Sequence, residues 1–242
     1  MKTRSLIAVL AFVLGLGTVP HRVCERDASA VWEGEPAHVD ALAARAFEHV
    51  RGELDEATFA TGSHRFDGEW LFGTYMMSAL GFGQVAQARA DVRDVDLDRM
   101  ELCLDRMLAA RSFDREAWSE DAIHASRGHI AWLGYAGMAL ALHRTMRPSS
   151  RFAAREEEVA RAIERRYASA ALAETYPGET YPVDNAAALA ALALHARATH
   201  AAPSAALANG LAAMRAAIDP ATGLLAQSLA SDGRRGPARG SG

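Results

Sequence analysis

Residues able to do chemistry gather in a few short stretches of this chain. Residues 61–70 read Thr-Gly-Ser-His-Arg-Phe-Asp-Gly-Glu-Trp and set Asp67, Glu69 and Trp70 close together. Residues 118–129 bring Glu120, Asp121, His124, Arg127 and His129. Residues 174–185 carry Tyr176, Glu179, Tyr181, Asp184 and Asn185 around Pro177, Gly178 and Pro182. A final stretch adds Asp232, Arg234, Arg235 and Arg239. Paired carboxylates suit general acid and base work, because one can hold a proton while its neighbour stays ionised. Prolines and a glycine fix the backbone of the 176–182 loop. Two tyrosines on such a loop, with Glu179 between them, suit a polyol that meets both flat rings and a carboxylate. The expected catalytic residues are Glu179, Asp184, Asp67, Glu69 and His129. The expected substrate-binding residues are Tyr176, Tyr181, Trp70, Glu120, Asp121, Arg127, Asn185 and Arg239.

Each has a plainer role available. Asp67, Glu69 and Asp184 stand where helix caps belong. One of Glu120 and Asp121 can pair with Arg127. His129 is either a proton-transfer group or a hydrogen-bonded residue at a helix start. His124 and His129, with Glu120 or Asp121, match no familiar ligand spacing, so no metal is expected. His143 and His195 read as satisfied histidines late in apolar helices, and Cys103 as a small buried thiol. Residues 91–96 hold three aspartates but lack the glycine and glutamate of a calcium loop, and read as a solvated connection. Neither a Gly-x-Gly-x-x-Gly nor a Gly-x-Ser-x-Gly string occurs, and Lys2 is the sole lysine, which excludes a P-loop or Schiff-base lysine. Two cysteines exclude a zinc ribbon or a disulfide scaffold, and no cofactor is expected.

The elements that position these loops read as helices. Alanine supplies 53 of the 242 residues, and valine with isoleucine only 17. That balance favours helix over sheet. Periodicity predicts helices over 38–51, 68–89, 96–111, 128–146, 151–170, 184–198 and 203–218. Four of them, the first, third, fifth and seventh, carry one apolar stripe and a wet face. The helices near 68, 128 and 184 are apolar all round, which predicts burial all round. Short connections make neighbours antiparallel, so the buried helices run one way and share one end for their N-termini. The chemically dense loops fall at that end, where a rigid scaffold can present them.

This alternation over about residues 38–242 resembles an (α/α) toroid, in which an inner ring of parallel helices is wrapped by an outer antiparallel ring. The resemblance implies an all-α, incomplete (α/α) toroid of about seven helices, in a family of exported bacterial proteins. Folds of the toroid superfamily host glycoside hydrolases, polysaccharide lyases, sugar epimerases and terpenoid cyclases or dehydratases, working at the inner-helix end. The ending after Arg234 resembles a loop that would enter another buried helix, so a truncated toroid is expected over 31–242.

Residues 1–4 carry positive charge and residues 5–19 form an apolar run, the layout of a secretory signal or a short membrane anchor over 1–30. Export to the periplasm, the medium or the inner membrane is therefore expected. The net charge of −4, with acids and bases mixed along the chain, argues against a nucleic-acid partner. A glycan or other small polyol is the expected substrate, by hydrolase, lyase or epimerase chemistry. A non-catalytic helical scaffold and a terpenoid-type dehydratase or isomerase are the alternatives.

Overall fold

The computed structural model describes residues 12–19, 22, 28–30, 32–110, 120–230 and 234–236. The chain forms two compact units, residues 1–49 and 50–242. In the first, residues 12–19 are helical, with Phe12, Val13, Leu14, Leu16 and Val19 exposed. Helix α1, Pro36–Val50, runs to the boundary between the units. Leu42, on its expected apolar stripe, is exposed.

The second unit is built from α2 (His64–Ala88), α3 (Arg93–Ala109), α4 (Ile130–Met146), α5 (Ala153–Ser169), α6 (Pro182–Thr199) and α7 (Ala205–Ala216). Two-residue strands β1 (Glu179–Thr180) and β2 (Leu229–Ala230) pair antiparallel, with Glu179 opposite Ala230. The chain is mostly helical, as its alanine content dictates. Two starts differ from the periodicity reading. Helix α2 begins at His64, a turn before 68, because Ser63 takes an extended backbone and its carbonyl accepts the Asp67 N–H at 2.9 Å. Helix α3 begins at Arg93, inside the stretch read as a solvated connection. Asp96 is buried there and accepts from Arg99 at 2.9 Å.

Contacts between helices fix their directions. A Cβ on Gly134 of α4 would lie 2.6 Å from the Ala188 backbone nitrogen of α6, and one on Gly137 would lie 3.0 Å from the Ala191 Cβ. Both contacts share one sequence offset, so α4 and α6 run parallel. Helix α3 runs against α4, since Glu101 meets His143 while Asp98 meets Arg147. Helix α5 runs against α6, since Glu156 meets His195 while Tyr167 meets Asn185. Leu142 of α4 packs at Gly83 of α2, and Glu69 and Tyr135 interact nearer the N-termini of the same two helices. The N-termini of α2, α4 and α6 therefore share one end, as the alternation predicts.

Burial is less uniform than the sequence suggests. Helix α4 is buried over most of its length. Helix α2 is not: Phe66, Trp70 and Met77 line one exposed face. Leu207 of α7 is buried, while Leu211 and, past the helix end, Ile218 remain exposed; α7 packs chiefly on α5 and α6.

The far end is tied by charge. Glu156, nearly fully buried, accepts from Arg144 at 2.6 Å and pairs with His195 at 2.7 Å. His143 meets Ser150 Oγ at 2.8 Å and Glu101 at 3.0 Å. Both histidines are satisfied, as expected. Cys103 is fully buried, and burial pushes its thiol up to about 12.

The Gly134 contact yields a direct test. Gly134→Ala should lower unfolding stability by about 1–3 kcal/mol, because the new methyl meets backbone that cannot rotate away. Gly81→Ala, whose Cβ would meet nothing within 4 Å, should raise it by about 0.5–1 kcal/mol through helix propensity. Urea midpoints of the two variants check both signs, and equal midpoints would discount the close approach.

Candidate functional site

A cavity of about 600 Å³ opens among the N-terminal halves of α2, α4 and α6. Its polar side chains are Glu69, Thr74, Tyr135 and Asp184. Its apolar walls are Phe66, Trp70, Phe72, Met76 and Met77. Helix periodicity explains the α2 contribution: positions 66, 69, 70, 73, 76 and 77 fall on one face. Helix α6 contributes Asp184 from its first turn, behind Pro182 at the helix start.

Asp184 is only 8% exposed. Its Oδ2 accepts from Thr175 Oγ1 at 2.6 Å and its Oδ1 from the Tyr135 hydroxyl at 3.4 Å. Desolvation outweighs both bonds and raises its pKa above the ordinary carboxylate value. Tyr135 is pushed up to about 12, first by burial, then by the charges of Asp184 and Glu69. Glu69, half-buried, lines the same cavity, and its charge also reaches the Tyr135 hydroxyl. Asp184 does not cap α6: Tyr181 holds the cap position without a side-chain bond, and the Asp184 carboxylate points away to Thr175 and Tyr135.

Other expected site residues are committed to the chain itself. Asp67 accepts from the Thr61 N–H and hydroxyl, both at 2.7 Å, which lowers its pKa and staples the loop before α2. Asn185 is fully buried. Its Oδ1 accepts from the Ala173 N–H at 2.8 Å and the Tyr167 hydroxyl at 2.9 Å, and its Nδ2 donates to the Ala173 and Tyr181 carbonyls, each at 3.0 Å. A substrate would find no open bond there, so Asn185 positions the loop. Arg127 pairs with Glu174 through two bonds of 2.9 Å, a partner outside the expected acidic pair of Glu120 and Asp121. His129 is buried with a left-handed backbone (φ 63°) and lines neither this cavity nor the one beside Arg127. Asp121 is exposed, and Glu120 opens the short turn Glu120–Ile123.

The aromatic loop forms a small cluster of its own. The Tyr176 and Tyr181 rings meet edge to face at 6.2 Å, and the Arg65 guanidinium lies 5.9 Å from the Tyr176 centroid. Glu179 is exposed and accepts from the Tyr181 hydroxyl at 2.8 Å, a bond that helps push Tyr181 up to about 12. Tyr181 also feels the charge of Asp184, so this cluster neighbours the cavity without lining it. Arg239 and Asp232 lie outside the described residues.

Tyr135 and Thr175 were not among the sequence candidates. The signal for Tyr135 was present, since it is the one hydroxyl in the charge-free first half of α4. Thr175 had none, because its role depends on the 9-residue return of the chain to Asp184. Among the described residues, no three His, Cys, Asp or Glu side chains come together to hold a metal ion.

No protein-family model, curated protein or solved structure matches the chain. Function is then read from the chemistry of the site itself.

The buried carboxyl gives a pH test. Asp184 binds its proton more tightly folded than unfolded, so it costs stability once pH exceeds the ordinary carboxylate value, and more as pH rises. Asp184→Asn removes that cost. The difference in Tm, variant minus wild type, should grow from about pH 4 toward neutrality. A pH-independent difference in scanning fluorimetry would place Asp184 among ordinary solvated carboxylates.

Proposed function

We propose that this chain is an exported acid/base enzyme of (α/α)-toroid type, acting on a glycan or another polyol. The observation that carries the reading is that Asp184 and Glu69 line one cavity and both act on the Tyr135 hydroxyl. Asp184 is the general acid, because a carboxyl whose pKa is raised by burial keeps a proton to give. It protonates the leaving oxygen as the C–O bond breaks. Glu69 takes the balancing proton, from water in hydrolysis or from a neighbouring carbon in elimination. Tyr135 orients Asp184, and the exposed Trp70 ring offers a platform for the C–H face of a sugar. The parallel buried helices support the toroid arrangement, and the uncovered face of α2 fits an incomplete ring. The exposed apolar residues of 12–19 support a signal or an anchor. Among the described residues, no helix is long and apolar enough to cross a membrane.

The walls favour a second reading. Phe66, Phe72, Met76 and Met77 suit an apolar alcohol of terpenoid type, dehydrated or isomerised by the same proton transfer.

The test is a turnover screen with aryl glycosides, polysaccharides and prenyl alcohols. Asp184→Asn and Glu69→Gln should each lower kcat by about 100-fold or more while the protein stays folded. Asp67→Asn should lower Tm and spare kcat, because its bonds go to Thr61. With Asp184 as acid, the rate falls as pH rises through its raised pKa. Wild-type activity that survives both carboxylate changes would refute the assignment, and silence across all substrates would favour a binding scaffold.

A further inference from the structure

A second cavity, of about 730 Å³, lies between the C-terminal ends of α5 and α7 and the 170–174 loop. That volume is within the range of small-molecule sites, roughly 300–1,000 Å³. It shares no lining residue with the Asp184 cavity. Three arginines line it, Arg127, Arg166 and Arg235, against one acidic residue, Glu174. Arg127 and Glu174 neutralise each other through their two bonds. Among the described lining residues, the other two cations have no such partner.

Arg166 is 3% exposed. Its Nε donates to the Gly128 carbonyl at 3.1 Å and its Nη2 to the Ala122 carbonyl at 2.8 Å. Both acceptors are neutral, and no carboxylate of the described residues bonds to it. The charge that acts on it is another cation, Arg165, itself donating to the Ile123 carbonyl. Burial of a guanidinium without a counter-charge is costly, and the cost falls when a ligand brings the anion. Arg235 donates to the carbonyls of Ala216 at 2.6 Å and Ile218 at 3.4 Å, at and just beyond the end of α7. Asp219 feels its charge but accepts from the Ala221 and Thr222 amides and does not line the cavity. Ser126 and Thr180 add hydroxyl-bearing residues to the lining, while the Ser169 hydroxyl donates to the Arg166 carbonyl at 3.0 Å.

We propose that this cavity binds a small molecule bearing an oxyanion, a carboxylate, sulfate or phosphate, anchored by Arg166 with Arg235 beside it. A guanidinium presents parallel N–H donors that match two oxygens of one such group. The site is independent of the Asp184 chemistry, so either assignment can fail without the other.

The test is titration calorimetry on the full chain at low salt, with inorganic phosphate, sulfate and glucuronate in separate arms and sodium chloride as control. Saturable binding by at least one oxyanion is expected, weakening as salt rises. Tighter glucuronate assigns a carboxylate ligand, and tighter phosphate or sulfate assigns the inorganic class. Arg166→Lys and Arg235→Gln should each weaken binding by about tenfold or more, whereas Asp184→Asn should leave it unchanged. Arg235 is exposed, so its variant reports even if Arg166→Lys does not fold. No saturable binding in any arm overturns the proposal. So does equal binding by wild type and the Arg235 variant, the result of an adventitious ion only.

Discussion

The near-contact of two helix backbones governs this structure. Helices α4 and α6 meet where Gly134 and Gly137 leave no side chain between them and the small Ala188 and Ala191. A larger residue at either glycine would force the axes apart, since a packed core has no slack to absorb it. The consequence for chemistry is immediate. Tyr135 follows Gly134 in the chain, and Asp184 stands one turn before Ala188. Pressing the helices together at Gly134 therefore presses the tyrosine hydroxyl onto the carboxylate. It also buries Asp184, and burial is the main cause of its raised pKa.

The two ends of the second unit use polar residues in opposite ways. At the far end, acids and bases are matched. Glu156 joins α5 to α4 through Arg144 and to α6 through His195, while Glu101 joins α3 to α4 through His143. These bonds satisfy buried charge and lock the direction of each helix. At the N-terminal end, Asp184 has hydroxyl donors and no cation, and Arg166 has carbonyl acceptors and no anion. Each is a charge whose natural partner the described chain does not supply. The first is a buried carboxyl able to carry a proton, and the second a buried cation of a residue that lines a cavity.

The dense polar loops divide by the same rule. Asp67, Asn185 and Arg127 lie in stretches as promising as those of Glu69 and Asp184. Their atoms are spent on Thr61, on Ala173 with Tyr167, and on Glu174. These bonds hold the loops still, so that the cavity between α2, α4 and α6 keeps its shape. Residue type alone does not separate the two groups, because an aspartate that staples a loop and one that donates a proton are the same residue.

The sequence by itself determined the helices, their alternation and the sharing of one end by three N-termini. Alanine-rich composition and apolar periodicity are local properties, so they can be read without knowing what lies opposite. The satisfied histidines at 143 and 195 were legible for the same reason, being late in apolar helices. Tertiary structure alone decided which side of α2 stays open, and hence that Trp70 and Met77 line a cavity instead of a core. It also decided that Glu69 and Asp184 line one cavity while Glu179 turns to Tyr181. The physical reason is that desolvation and pairing depend on partners from distant segments. Asp184 needs Thr175 and Tyr135 around it, and Arg166 is buried against the Gly128 and Ala122 carbonyls from a segment about 40 residues earlier.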